Sequence, residues 1–157
     1  MNIIGIDPDS KASGVAWYKC GKLISIQNMG LIELWKFLEQ RKSDSFRGSE
    51  YALELHIEDL NANRCSSFNW QRSGKPKPVL DKINGKISEG VGKCKQTQTE
   101  IERIAIGLSI RVAKHKVSSK WKSAQAGKAE FKMVTGWLGR SNEDTRSAAY
   151  FGFLGLK

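Results

Sequence analysis

The feature that most constrains the fold of this chain is an apolar run at its start that ends in a single carboxylate. Residues 2–6, Asn-Ile-Ile-Gly-Ile, are suited to the middle of a sheet, and they deliver Asp7 to the point where Pro8 ends the strand. Residues 9–14 are turn-forming types, and residues 15–26 predict two further strands joined by a tight turn. The sequence therefore predicts a three-stranded meander whose first strand ends in an aspartate.

The size and cysteine content of the chain favour one domain without disulfides or a zinc site. At 157 residues the chain is long enough to bury about two-thirds of its unfolded surface. Cys20, Cys65 and Cys94 form no C-x-x-C pair and have no neighbouring histidines, so we expect reduced thiols in a cytosol-like compartment. No run approaches the roughly 18 apolar residues of a membrane span. We therefore expect a soluble, cytoplasmic protein without a processed leader.

The positive charge of the chain is unevenly distributed. The formal net charge is +10, yet residues 1–60 hold seven Lys and Arg against nine Asp and Glu, while residues 61–157 hold nineteen against seven. A basic field of this size favours a polyanionic partner, because each phosphate that is neutralised releases counterions. Nucleic acid is therefore the leading partner, and a basic surface that serves only solubility is the alternative.

A second acid follows at the end of another predicted strand. Apolar side chains in residues 30–41 recur at helical spacing, which predicts an amphipathic helix with an apolar face in the core. Residues 41–50 are polar and loop-like. Residues 51–57 then predict a strand, which stops at Glu58 and Asp59.

Two of these segments resemble motifs of the RuvC family of Holliday-junction resolvases. Residues 4–14, Ile-Gly-Ile-Asp-Pro-Asp-Ser-Lys-Ala-Ser-Gly, resemble the opening motif of the family, with Asp9 in place of the usual glycine. Residues 57–63, Ile-Glu-Asp-Leu-Asn-Ala-Asn, resemble the second motif, an apolar strand that ends in the catalytic glutamate, here Glu58. Related openings begin the actin and sugar-kinase ATPases, but their two-lobed fold needs far more residues and a second glycine-rich phosphate loop.

The resemblance implies an α/β protein with the RNase H-like fold, a mixed five-stranded sheet flanked by helices, in one domain over residues 1–157. In that fold the first strand and the strand after the first helix are parallel neighbours, about 4.8 Å apart. Asp7 and Glu58 are then expected to project from adjacent strand ends, with Asp59 as the reserve acid.

Residues 61–98 hold a basic segment that we expect to contact DNA. Eight Lys and Arg stand here against two acids, with Phe68 and Trp70 interleaved, and the glycines and prolines predict a loop rather than a long regular element. Lysine and arginine can meet phosphates while an aromatic ring stacks on an unpaired base. The alternative is that these rings dock the loop on the core. Residues 96–114 predict the longest helix, interrupted at Gly107.

The C-terminal third resembles the remaining motifs of the family. Residues 117–122 resemble its short fifth strand, and residues 127–134 resemble a segment in which a lysine begins a helix. By that resemblance Lys120 and Lys128 match lysines that face DNA phosphate near the active site, and Lys128 takes a catalytic role. Lys122 and Arg140 are supporting candidates on charge alone. The residues predicted to contact DNA are Arg64, Phe68, Trp70, Arg72, Lys75, Lys77, Lys120, Lys122 and Lys128.

The last helix supplies the third expected acid. The family ends in a helix of the form D-x-x-D-A-L-A, and residues 144–149 read Asp-Thr-Arg-Ser-Ala-Ala. Asp144 is the expected third ligand, with Glu143 as the alternative, and Ser147 or Ser141 then stands where the paired acid belongs. Acids in a first helical turn are also favoured by the helix dipole, so a capping role is the competing interpretation.

Asp7, Glu58 and Asp144 would form an oxygen-only site suited to Mg²⁺ or Mn²⁺, with two ions per active site. His56 and His115 are far apart in sequence and are expected to be structural. The resemblance implies a homodimeric, metal-dependent endonuclease that nicks opposing strands of a four-way junction. The family also occurs in phage genomes, and a phage-encoded member would act in the host cytoplasm. The alternatives are a branched-DNA-binding protein without catalysis, and an RNase H-like nuclease acting on RNA–DNA hybrids, forks or flaps.

Overall fold

The computed structural model describes residues 1–47, 52–62 and 74–157 as a mixed sheet covered by helices on both faces. The strands are β1 (Asn2–Asp7), β2 (Ser13–Lys19), β3 (Lys22–Met29), β4 (Leu53–Glu58) and β5 (Arg111–His115). The helices are α1 (Leu31–Arg47), α2 (Lys77–Gly107), α3 (Ala126–Thr135) and α4 (Glu143–Leu154), with a short 3₁₀ helix at Leu60–Ala62.

The five strands lie in the order β3-β2-β1-β4-β5. The meander β1-β2-β3 is antiparallel, and β4 and β5 are added in parallel to β1. This arrangement confirms the predicted fold class, a mixed five-stranded sheet flanked by helices. β1 is the middle strand of the sheet and is covered on both faces, and its residues 2–7 are therefore all buried.

Alternate residues of the central strands enter two separate cores. Ile4 and Ile6 pack on one face with apolar residues of α1 and α2, such as Leu34 and Ile101. On the opposite face Ile3 packs with residues of α3 and α4. The period-two alternation of a strand thus gives each face its own hydrophobic layer.

Helix α4 lies unusually close to the sheet, because glycines remove the side chains between them. A Cβ on Gly5 would collide with the backbone of α4 at Ala148 and Gly152. The hydroxyl of Tyr18 donates a hydrogen bond of 2.8 Å to the carbonyl of Ala149 on the same helix. A Cβ on Gly14 would likewise meet the backbone of Asp144. These contacts fix the first turn of α4 beside the end of β1.

The predicted boundaries between residues 61 and 122 are wrong in three places. Residues 77–98, expected in a loop, are helical, and α2 ends at Gly107 rather than at residue 114. Residues 111–115 form β5, whereas residues 117–122, expected to be the fifth strand, contain no strand. Proline near the start of α2 lies in the first turn, where no backbone donor is needed. The helical glycines at 85, 90 and 92 face open space, so each costs about 1 kcal/mol without breaking the helix.

The predicted helix over residues 30–41 is confirmed as α1, which extends further, to Arg47. None of the helices in the described part of the chain is both long and apolar enough to cross a membrane.

Candidate active site

Asp7 and Glu58 come together at the carboxyl ends of β1 and β4. The two strands are parallel neighbours paired up to Ile6 and Ile57, so the next residue on each strand leaves the sheet at the same edge. Both acids are almost inaccessible: Asp7 is 7% exposed and Glu58 is 1% exposed. Two carboxylates that are this deeply buried side by side require a cation or a proton.

Lys122 supplies a positive charge to this pair. Its Nζ lies 3.3 Å from Oδ2 of Asp7 and 3.5 Å from Oε2 of Glu58. The other carboxylate oxygen of Glu58, Oε1, accepts a hydrogen bond of 3.2 Å from the backbone N–H of Ser118. One ammonium group therefore faces both carboxylates, and we call these three residues the acid–lysine cluster.

The pKa values within the acid–lysine cluster reflect its burial and its excess of negative charge. Burial, followed by the hydrogen bond and charge of Asp7, raises the pKa of Glu58 from 4.5 to about 7, against the opposing effects of Lys122 and the Ser118 N–H. Burial acts to lower the pKa of Lys122, but the two carboxylates outweigh it and raise that pKa above its usual value. One lysine therefore does not fully offset the two acids, and the pair retains an affinity for further positive charge.

Asp144 lies beside the acid–lysine cluster in the first turn of α4. Its helix begins with a capping box, in which Asn142 Oδ1 accepts from the backbone N–H of Thr145 and the Thr145 hydroxyl accepts from the backbone N–H of Asn142. Burial and then the charges of Asp7 and neighbouring acids raise the pKa of Asp144. Asp144 is thus an electrostatic neighbour of Asp7, while Glu143 is exposed.

The described ranges contain no group of three His, Cys, Asp or Glu side chains arranged to hold a metal ion. Two of the three expected ligands therefore converge, and Asp144 stands next to them without completing a three-carboxylate cluster. Ser147, one turn further along α4, is 1% exposed, and its hydroxyl has no hydrogen-bond partner among the described residues. A neutral, buried side chain thus occupies a position at which the family pattern can place an acid.

The backbone that carries Lys122 is held by a buried arginine on α4. Arg146 is 4% exposed, and its guanidinium donates to the carbonyl of Trp121 at 2.8 Å and to the carbonyl of Lys122 at 2.6 Å. It also reaches the carbonyls of Ser123 at 3.3 Å and Ser141 at 3.4 Å. The position of Lys122 is therefore set by α4, the helix that also carries Asp144.

Trp121 adds a second constraint to this turn. Its φ of +61° lies in the left-handed region, and its side chain is 2% exposed among the rings of α3 and α4. A Cβ on Gly127 would collide with the Trp121 backbone, so α3 approaches the turn closely. A non-glycine residue keeps such a conformation only when the surrounding structure imposes it.

The other predicted lysines lie outside the acid–lysine cluster. Lys128 is exposed on the first turn of α3, and Lys120 lies 4.0 Å from Glu130 with 60% of its side chain exposed. Among the described residues the ion pairs of Asp7 and Glu58 are formed by Lys122. Sequence reasoning named Lys122 on charge alone and did not find Arg146, whose contacts with residues 121–123 span 23 to 25 residues of the chain. No local pattern marks such a long-range contact.

The remaining residues singled out from the sequence fall into four groups. Lys75 lies just before α2 and Lys77 is its first residue, and both are exposed. Asp59 accepts a 3.0 Å hydrogen bond from Gln98 Nε2 and is thereby tied to α2. His56 and His115 are hydrogen-bonded to each other, with Nδ1 and Nε2 2.8 Å apart. Arg64, Phe68, Trp70 and Arg72 lie outside the described residues.

The strand order, the parallel addition of β4 and β5 to an antiparallel meander, and the acids at the ends of β1 and β4 define an RNase H-like fold. Among solved structures the fold is that of Thermus thermophilus RuvC. The RuvC structure in complex with Holliday junction substrate superposes with a TM-score of 0.52 at 13% identity, covering 98% of this chain and 91% of that chain.

Two further solved structures are similar to this chain. A second T. thermophilus RuvC structure gives a TM-score of 0.49 at 15% identity, covering 98% of this chain and 92% of its own. A Fowlpox virus resolvase in complex with substrate Holliday junction DNA gives 0.43 at 14% identity, covering 98% and 97%. No protein-family model and no curated protein matches the chain.

Proposed function

We propose that this protein is a metal-dependent, structure-selective DNA endonuclease that resolves four-way junctions or other branched DNA by paired nicking. The observation that carries the proposal is the acid–lysine cluster at the carboxyl end of a RuvC-like sheet: two nearly buried carboxylates around one cation. A chain with this fold has no structural need for buried acids at that edge, and burying them costs stability. Such a cost is typical of functional sites.

The donor atoms of the cluster fit a hard divalent cation. Asp7 Oδ2 and Glu58 Oε2 already face a common positive charge, and carboxylate oxygens are the ligands that Mg²⁺ and Mn²⁺ prefer. Asp7 and Glu58 would bind the ion, and the negative charge of the neighbouring Asp144 would add to its electrostatic attraction. When bound, the ion would lower the pKa of a coordinated water and offset charge on the scissile phosphate. Two of the three expected ligands lie together in the cluster, and the expected pair of ions would also require Asp144 as a ligand.

The protein side chains have separate tasks in this proposal. Asp7 and Glu58 fix the cation, and ionised Glu58 is required because a protonated carboxyl is a poor ligand. The ammonium of Lys122 offsets negative charge that develops on the phosphate. Lys120 and Lys128 are both exposed and would bind the DNA backbone as point charges. A homodimer would present two such sites to the opposing strands of a junction.

A binding protein without catalysis is the second candidate. It is favoured by the neutral Ser147 and by the fact that a three-carboxylate cluster is not assembled in the described ranges. The same basic chain would then bind branched DNA without cutting it. A nuclease acting on RNA–DNA hybrids, forks or flaps would share the acid–lysine cluster and differ in substrate.

The test is cleavage of an end-labelled four-way DNA junction in Mg²⁺ and in EDTA, beside linear duplex, a fork and an RNA–DNA hybrid. We expect paired nicks near the crossover in Mg²⁺ alone, which Asp7→Asn abolishes while junction binding survives. Asp44→Asn is the matched control, since this acid lies on α1 and pairs with Arg41 at 3.1 Å. Tight binding without nicks in Mg²⁺ or Mn²⁺ would replace the enzyme by the binding protein, and preferential cleavage of another substrate would replace the junction.

A further inference from the structure

We propose that Lys122 is a resident counter-ion that competes with a divalent cation for Asp7 and Glu58, so that cation binding displaces its ammonium group from the two carboxylates. This inference rests on the proposed function, because it takes the carboxylate pair as the cation site. It goes further in assigning to one lysine the control of how strongly that site binds metal.

The competition follows from the atoms involved. Lys122 Nζ contacts Oδ2 of Asp7 at 3.3 Å and Oε2 of Glu58 at 3.5 Å. The other oxygen of Glu58 accepts the Ser118 N–H, and Oε2 is the oxygen that faces the Lys122 ammonium. An ion shared by Asp7 and Glu58 would use the same oxygens as the ammonium. The ammonium of Lys122 and a divalent ion on the same oxygens would repel each other, so the ammonium moves away when the ion binds.

The charge balance determines whether the Lys122 ammonium or a divalent ion occupies the two carboxylates. Two ionised carboxylates carry two negative charges, of which one ammonium neutralises one. A divalent ion neutralises both, and it does so where the side chain of Glu58 is 2% exposed and water screens little. Lys122 therefore holds the pair together in the absence of metal, and it sets the concentration at which metal replaces it.

The displacement involves the Lys122 side chain and not its backbone. Arg146 fixes the carbonyls on both sides of the Lys122 peptide, and Trp121 is locked in the core. The side chain of Lys122 is 24% exposed and carries a flexible four-carbon stem, so its ammonium can turn toward solvent without moving the turn. The flexible side chain of Lys122 is thus attached to a backbone that Arg146 and Trp121 hold in place.

The test is the affinity for Mn²⁺, measured by electron paramagnetic resonance of free Mn²⁺ at pH 8.5 without DNA. We expect Lys122→Met to bind Mn²⁺ about tenfold more tightly than the wild type, which corresponds to about 1.4 kcal/mol. Lys116→Met is the matched control, because it removes the same charge from an exposed site a few residues earlier and should leave the affinity unchanged. Asp7→Asn should abolish this binding and thereby identifies the site.

Unchanged or weaker Mn²⁺ binding in Lys122→Met would overturn the inference while leaving the nuclease proposal in place. A wild type and a Lys122→Met variant that both bind no Mn²⁺ would overturn the metal dependence as well. A second measurement needs no variant to fold: in wild-type protein with ¹³C-labelled lysine, saturating Mg²⁺ should move the ε-CH₂ signal of Lys122 and leave that of Lys116 in place. A Lys122 signal that does not respond to Mg²⁺ would also refute displacement.

Discussion

Replacing Glu58 by glutamine should stabilise the metal-free protein, and it should do so only above the acidic range. The pKa of Glu58 is raised from 4.5 to about 7, first by burial and then by Asp7. A raised pKa means that the folded protein binds this proton more tightly than the unfolded chain. The contribution of Glu58 to stability is therefore fully present below pH 4.5 and is lost as the pH rises through about 7.

The size of this effect follows from the same two values. One pKa unit corresponds to about 1.4 kcal/mol, so a rise from 4.5 to about 7 amounts to about 3 kcal/mol lost between these pH values. Glutamine is close to the neutral carboxyl in shape and does not ionise. Glu58→Gln should thus match the wild type at pH 4 and exceed it by about 3 kcal/mol at pH 8, or about 6–12 °C in Tm.

The assay is urea unfolding in EDTA at pH 4, 6 and 8, followed by the fluorescence of tryptophan, including Trp121 in the core. Comparing variant with wild type at each pH cancels the titration of the groups that do not interact with Glu58. Glu130→Gln is the matched control, since this acid has 43% of its side chain exposed and should change stability by less than about 0.5 kcal/mol. A Glu58→Gln variant that is less stable than the wild type at pH 8, or a difference independent of pH, would refute a strained acid pair.

Two further substitutions test the surroundings of the site. Arg146→Met should lower the free energy of unfolding by about 3 kcal/mol, because it leaves the carbonyls of Trp121 and Lys122 without their donor. Arg146→Lys should lower it by less, and equal losses of the two variants in urea unfolding would argue against the guanidinium contacts. Ser147→Ala should change stability by less than about 1 kcal/mol and preserve Mg²⁺-dependent nicking, because it removes a buried hydroxyl that lacks a partner among the described residues; a large loss of nicking would instead make this hydroxyl part of the site.

The elements that the sequence predicts well are those whose signals are local. Three predicted strands are short apolar runs bounded by polar or turn-forming residues: the strand that ends in Asp7, the strand after the following turn and the strand that ends in Glu58. The structure has β1, β2 and β4 there. Because β1 and β4 are parallel neighbours, the meeting of the two acids follows from the strand order alone. The resemblance supplied that order, and periodicity could not have done so.

Helix α2 shows where local rules fail. Its 31 residues bury only Gln98, Ile101 and Ala105, so its first half offers no apolar stripe to detect. Glycine and proline in that half argue for a loop, yet the proline lies in the first turn and the glycines face open space. An ion pair such as Glu89–Lys93, at 2.6 Å, is consistent with a solvent-exposed helix. Composition alone does not separate such a helix from a basic loop.

The lysine of the cluster is the instructive case for the site. The resemblance selects Lys120 and Lys128, whose side chains are exposed, whereas the side chain that reaches both acids is that of Lys122. Adjacent positions on an irregular segment point in different directions, and the direction here is imposed by Arg146 and by the left-handed conformation of Trp121. Neither constraint can be predicted from the sequence of residues 117–122 alone. A functional side chain on irregular backbone is therefore located by the contacts that hold the backbone, and those contacts come from α4.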